Sequence, residues 1–207
     1  MAIVELLADA SRAQGPVDFP TDPGMARQPG LYAWWADDSA RRLLGGALEV
    51  ELPALIYAGQ AGATRWPSGA SSRATLASRI GAQHIRGNAR SSTFRLTVSA
   101  LLRPAMSLKM DQRGRLVTED NRRVSAWIAQ HLRVSIAPFP DRDRLGGLEA
   151  AVLGRLDPPL NLGRCLPTHA RGRLSELRRA LRAAGSGAQG VDGIQAEGAD
   201  GGGREAP

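Results

Sequence analysis

The chain has two tyrosines, and both sit in short strand-like runs: Gly30-Leu31-Tyr32-Ala33-Trp34-Trp35 and Leu55-Ile56-Tyr57-Ala58-Gly59. A phenol is a poor base at its ordinary pKa of about 10. A cation beside it lowers that value and makes it a better one. An arginine-rich helix follows the second run at once. Glu149 comes much later, on what reads as a buried helix face. Two phenols, an arginine and a carboxylate compose a set able to cleave a phosphodiester.

These side chains need a scaffold, and hydrophobic periodicity supplies one. Residues 2–13 read as a short helix with Ile3, Leu6, Leu7 and Ala10 on one side. Residues 15–29 read as a loop. Pro29-Gly30 opens a first strand with Leu31, Ala33 and Trp35 on one face and Tyr32 and Trp34 on the other. Residues 36–47 form an irregular or helical connector, and residues 48–59 return as a second strand, interrupted at Pro53 by an edge or a bulge. Strands this close in sequence pair antiparallel.

Residues 60–72 are a Gly/Ser/Pro/Thr loop carrying Trp66. A helix is expected from Arg73 to about Ile85, with Leu76 and Ile80 inward and Arg79 flanking that stripe. Phe94, Val98, Leu101 and Leu102 recur at helical spacing within 92–102. Residues 103–117 form a connector with a turn at Gln112-Arg113-Gly114. Thr118 is positioned to cap a helix running to about Leu132, and Val134 to Pro138 alternate as a third strand.

The helix from Leu145 to Leu156 is the most informative. Leu145, Leu148, Val152 and Leu156 line one stripe, and Glu149 sits inside it. Burying an unpaired carboxylate is costly, so Glu149 needs an arginine partner, a metal ion or an opening to a cleft. Pro158-Pro159-Leu160-Asn161 stops the helix. Residues 168–184 form a basic amphipathic helix with Leu174, Leu177 and Leu181 on one face, flanked by Arg171, Arg173, Arg178, Arg179 and Arg182. From Gly185 the chain is Gly-rich and acidic, and disorder is expected.

The formal net charge is +7, and residues after Gly185 contribute −3, so the remainder carries about +10. That balance suits an anionic polymer such as nucleic acid. Almost all of the positive charge is arginine, Lys109 being the only lysine, which is also what GC-rich coding produces. One cysteine, Cys165, excludes an intrachain disulfide and a cysteine zinc cluster. No apolar run reaches the roughly 18 residues of a membrane span, and the N-terminus lacks a signal-peptide pattern. The expectation is a soluble cytoplasmic protein with no small-molecule cofactor.

In order and type, these pieces resemble the GIY-YIG nuclease family. Its two naming motifs match Gly30-Leu31-Tyr32 and Tyr57-Ala58-Gly59, its helix arginine matches Arg79, its metal-binding glutamate matches Glu149, and its later asparagine matches Asn161. The resemblance covers roughly residues 28–163. It implies an α+β fold: a small three-stranded antiparallel sheet flanked by helices, here with a basic C-terminal helix and a disordered tail. The chain then divides into an N-terminal helix and loop (1–27), a nuclease domain (28–163), a basic helix (164–184) and a tail (185–207).

The resemblance implies hydrolysis of DNA. Glu149 would hold one divalent ion, Mg²⁺ or Mn²⁺; one carboxylate with waters and substrate oxygens suits magnesium. Arg79 would grip the scissile phosphate. Tyr32 would orient or deprotonate the attacking water, Tyr57 would share that role, and Asn161 would brace the site from behind the glutamate. Many members carry His or Tyr one turn after the arginine. Here that place is Gln83, and His84 lies about 140° around an α-helix from Arg79, so it joins the site only where the helix end distorts. Arg73, Arg79, Arg86 and Trp66 are the candidate nucleic-acid contacts, Trp66 as a stacking platform.

Each feature has an ordinary reading beside the catalytic one. The tyrosines could pack, Arg79 and Glu149 could pair with each other, Asn161 could cap a turn, and Trp34-Trp35 reads as core. The alternative functions are a non-catalytic DNA-binding module on this fold and a basic protein whose 171–182 helix binds a partner. The sequence does not decide between a monomer and a homodimer.

Overall fold

Alternation along Gly30–Ala36 gives β1 two apolar faces, and that decides the architecture. The computed structural model describes residues 2–186. In it β1 (Gly30–Ala36) is the middle of a three-stranded antiparallel sheet, between β2 (Leu55–Ala61) and β5 (Leu132–Pro138). Tyr32, Trp34 and Ala36 point into one core with Ile56 and Val134. Leu31 and Ala33 point into a second core with Ala58 and Ala137. The fold is α+β, as the motif order implies.

Helices cover both faces. Before the sheet come α1 (Ala2–Ala8), a 3₁₀ turn (Ala10–Arg12) and α2 (Pro23–Ala26). Asp22 caps α2 by accepting from Met25 N at 3.0 Å, so the 15–29 segment is not purely loop. Then follow α3 (Asp38–Leu48), a two-stranded ribbon of β3 (Thr64–Arg65) and β4 (Ala70–Ser71), and a π-helix (Ala77–Ile85). After these come α4 (Thr93–Met106), α5 (Thr118–His131), α6 (Arg142–Leu156) and α7 (His169–Ser186). Helices α3, α4 and α7 close the Tyr32–Trp34 side, and α1 and α6 the Leu31–Ala33 side. Trp34 lies fully buried and stacked on Phe94, with ring centroids 4.5 Å apart, so it is core as expected. Fully burying such a side chain contributes about 1.5–3 kcal/mol.

Several expectations shift in detail. The second strand starts at Leu55 rather than at residue 48, because α3 runs to Leu48 and Glu49 ends it in the left-handed region (φ 61°). The irregularity lies not at Pro53 but opposite Trp34 and Trp35, whose partners are Tyr57 and Leu55; Ile56 is the extra residue of a bulge. Helix α5 does begin near Thr118, but its cap position is Val117 and no side chain caps it. The 60–72 segment contains the β3–β4 ribbon, with Trp66 68% exposed at its turn. The tail expected to be disordered lies, from residue 187 on, outside the described residues. No helix among the described residues is long and apolar enough to cross a membrane.

Candidate active site

The two tyrosines sit on adjacent strands and share a face. Tyr32 pairs with Gly59 and Tyr57 with Trp34. The Tyr32 side chain crosses over Gly59: a Cβ there would lie 2.6 Å from the Tyr32 hydroxyl and 2.9 Å from Cζ. The glycine two residues after Tyr57 is therefore the space that the other phenol occupies. Tyr57 is half-buried and packs against Phe94, with centroids 5.2 Å apart.

His84 joins them. Its Nε2 lies 2.7 Å from the Tyr32 hydroxyl and its Nδ1 2.8 Å from Ser92 Oγ. In an α-helix the fifth residue past Arg79 would face elsewhere. Here residues 77–85 are a π-helix, whose i→i+5 bonds widen the turn so that the fifth residue returns toward its starting face. The geometric condition on His84 is met by one change of hydrogen-bond register.

Buried Arg95 of α4 locks this helix end. Its Nη1 donates to the carbonyls of His84 (3.1 Å) and Ile85 (2.8 Å). Its Nη2 donates to Asn121 Oδ1 (2.8 Å), Asn121 O (3.0 Å) and Ser125 Oγ (3.1 Å). The last carbonyls of a helix have no partner within it, and a guanidinium suits them both as a donor and as a charge. Burial lowers Arg95 to about 10, so it stays cationic at neutral pH.

Arg79 pulls both phenol pKa values down, as a neighbouring cation should, but burial outweighs it. Burial raises Tyr32 well above the ordinary phenol value, with Tyr57 and Glu149 adding to the rise and only Arg79 opposing it. Tyr57 is pushed up to about 12, burial again outweighing Arg79. Burial holds His84 down to about 3, helped by Arg79 and Arg95. At neutral pH the site therefore contains two protonated phenols and a neutral imidazole.

Arg79 and Glu149 meet in a polar cleft of about 590 Å³, also lined by Gln60, Trp66, Asp143 and Arg164. That volume is in the ordinary range for a ligand site. Arg79 leaves its Nε buried and without a hydrogen-bond partner. It does not pair with Glu149; the cation on Glu149 is Arg164, 3.6 Å away. Burial raises the Glu149 carboxyl above its usual value, against the pull of Arg164 and Arg79. Arg142 fixes the relation between α6 and the ribbon. Its Nη1 donates to the carbonyls of Gly62 (2.8 Å), Ser72 (2.6 Å) and Ala74 (3.2 Å), which ties the approach to Arg79 onto the helix of Glu149.

Asn161 braces a strand rather than the glutamate. Its Oδ1 accepts from Ala58 N (2.9 Å) and its Nδ2 donates to Ala58 O (2.8 Å), beside Tyr57 on the free edge of β2. Leu160 N donates to Ile56 O (3.0 Å), so this segment covers an edge that would otherwise be unpaired. Arg171, expected to flank the apolar stripe of α7, is instead buried. It donates to the carbonyls of Asn161 (2.9 Å), Leu166 (2.9 Å) and Pro158 (3.1 Å) and to Asp157 Oδ1 (2.6 Å).

Of the remaining candidates, Trp66 lines the cleft, whereas Arg73 is exposed and Arg86 lies against Gly81; neither of these two lines it. His131 pairs with Asp37 at 2.9 Å. Sequence reasoning missed Arg164, Arg142, Arg95 and Ser92. An arginine inside the apolar run of α4 was a signal for Arg95; spacing gave none for Arg164. No group of three or more metal-ligating side chains occurs among the described residues.

Comparison with known families gives a match to the model described as GIY-YIG catalytic domain over residues 30–183, which takes in most of α7. Comparisons with curated proteins and with solved structures give no match.

Proposed function

The chain belongs to the GIY-YIG family, and from that premise we propose that it is a divalent-metal-dependent endonuclease acting on DNA. The observation that carries the reading is the convergence of Arg79 and Glu149 on one polar cleft, in electrostatic reach of Tyr32 and Tyr57. The residues fit one hard cation: Glu149 is a half-buried carboxylate on an open polar wall, and magnesium takes one or two carboxylates and keeps much of its water. Glu149 would hold the ion, which when bound supplies Lewis-acid stabilisation of the phosphate charge and of the leaving 3′ oxygen.

The protein's own groups do the rest. Arg79, with an unpartnered Nε, grips the scissile phosphate through its planar fork. Tyr32, whose pKa burial raises, does not act as a standing phenolate. Its hydroxyl donates to neutral His84 Nε2 and so presents its oxygen as an acceptor that orients the attacking water. That direction requires the His84 tautomer protonated at Nδ1, donating to Ser92 Oγ. Tyr57 orients the water and the phosphate, and Asn161 holds the Tyr57 strand in place.

Conversion of supercoiled plasmid to nicked or linear DNA tests this, with Mg²⁺ and with chelator, beside Glu149→Ala and Tyr32→Phe. Metal-dependent cutting by the wild type, lost in both variants, is expected. A folded wild type that binds DNA but cuts neither plasmid nor branched or modified DNA would overturn it in favour of a binding module.

A further inference from the structure

Helix α7 carries a residue that its own packing does not explain. Leu174, Leu177 and Leu181 form its buried stripe, and Arg178 falls inside that stripe, since positions i, i+3, i+4 and i+7 share one helix face. A half-buried arginine normally has a carboxylate or a set of carbonyls, as Arg171 does one end of the helix away. Arg178 makes no ion pair or hydrogen bond among the described residues, and its Nε is buried without a partner. Its neighbour one turn on is Arg182, a like charge that repels it.

Arg178 and Arg79 both lie in electrostatic reach of Tyr57. Packing agrees: α7 lies along α4, and Tyr57 rests on Phe94 at the start of α4. Two arginines, each with a buried Nε that has no partner, thus lie in reach of one phenol.

We propose that Arg178, assisted by Arg182, is a second phosphate-binding site, which takes a backbone phosphate of the DNA strand next to the one gripped by Arg79. This rests on the nuclease reading and extends it, making α7 a wall of the substrate groove. Arg178 is then kept against the packing preference of its helix by the substrate it binds.

The test compares the full-length wild type with Arg178→Met and Arg178→Lys. Binding to a labelled DNA duplex is followed by fluorescence anisotropy in chelator, across a salt series, and melting temperature is measured in parallel. If Arg178 contacts one phosphate, Arg178→Met lowers the magnitude of the slope of log K against log salt by about one. Its binding deficit relative to wild type then changes about 3.5-fold between about 50 and about 200 mM salt. Arg178→Met melts at or above the wild-type temperature, since it removes an unpaired charge from an apolar stripe. Arg178→Lys keeps the slope.

Wild-type affinity and slope in Arg178→Met would overturn the proposal. So would a lower melting temperature in both variants with binding lost in both, because Arg178 would then be structural. The slope comparison needs no cleavage, so a chain that binds DNA but never cuts it defeats the nuclease reading and still decides this one. A wild type that binds no DNA defeats both.

Discussion

The Tyr32 hydroxyl lies 2.7 Å from Nε2 of His84, in a pocket where both side chains are only 2% exposed. The contact exists because the helix of His84 is a π-helix, and it fixes what each partner can do. With His84 held at about 3 by burial, the imidazole is a neutral acceptor throughout the physiological range. The phenol is a donor, not an anion.

The first prediction concerns pH and stability. Between about pH 3 and 6.5 the unfolded chain protonates His84 and the folded chain does not. The unfolded state therefore binds more protons in that window, and folding stability falls as the pH is lowered through it. One residue contributes about 1.4 kcal/mol per pH unit. Relative to His84→Gln, which loses two buried hydrogen bonds, wild type is more stable at pH 7, and the two curves converge on acidification and cross near pH 5. Urea denaturation at several pH values measures this; a constant difference between the two proteins would rule it out.

Gly59 carries the second prediction. A Cβ at residue 59 would sit 2.6 Å from the Tyr32 hydroxyl, so Gly59→Ala displaces the phenol from His84. Overpacking of this kind costs about 1–3 kcal/mol of stability. Misplacing a catalytic group by an ångström costs about 10²-fold in rate, so plasmid nicking by the variant should approach the Tyr32→Phe level while its circular dichroism stays native. Wild-type nicking rates in a folded Gly59→Ala protein would show that the geometry does not matter.

Much of this was legible in the sequence, and the reasons are physical. The three strands and α6 declare themselves because their apolar side chains recur at strand or helix spacing, and Glu149 stands out because it breaks such a stripe. The π-helix was not legible, because α and π registers share the same side-chain content and differ in which carbonyl each N–H meets. That choice is made at a distance, by Arg95 and Ser92 of α4 holding the helix end and the imidazole. The sign of the phenol pKa shifts was equally hidden: a cation nearby can be read from the sequence, but the depth of burial that outweighs it comes from the packing of α4 and the π-helix.

A third prediction follows from Asn161. Its side chain satisfies both backbone groups of Ala58 on the β2 edge. Asn161→Ala leaves the buried Ala58 groups unpaired, at a cost of about 1–3 kcal/mol each. Asn161→Asp keeps the acceptor for Ala58 N but sets a carboxylate oxygen against Ala58 O, so it should be no better than alanine in a thermal melt. If aspartate restored wild-type stability, the second hydrogen bond would be of no account.

Glu149 should trade stability for chemistry. Its folded pKa is raised by burial, so the carboxylate form is disfavoured in the fold. Its destabilising effect is absent at acid pH and grows as the pH rises past the unfolded value of about 4.3. Glu149→Gln, neutral at every pH, should therefore melt higher than wild type at pH 7–8 and level with it near pH 4, while metal-dependent cutting is abolished. A variant that melts lower at neutral pH would mean that the Arg164 ion pair more than offsets the cost of burial.

The last prediction separates that ion pair from the metal. Arg164 lies 3.6 Å from Glu149, with its side chain 55% exposed, and donates to Gly146 O at 2.7 Å. A divalent ion on Glu149 must compete with this guanidinium, and an ion pair so exposed contributes about 0.2–1 kcal/mol. Arg164→Ala should then bind Mn²⁺ about 1.5- to 5-fold more tightly than wild type in the absence of DNA, as read by paramagnetic resonance of the free ion. The gain should shrink at high salt, where the pair is screened in wild type as well. Weaker or unchanged Mn²⁺ binding would mean that Arg164 does not compete for the carboxylate, and its place in the cleft would then be on the substrate side alone.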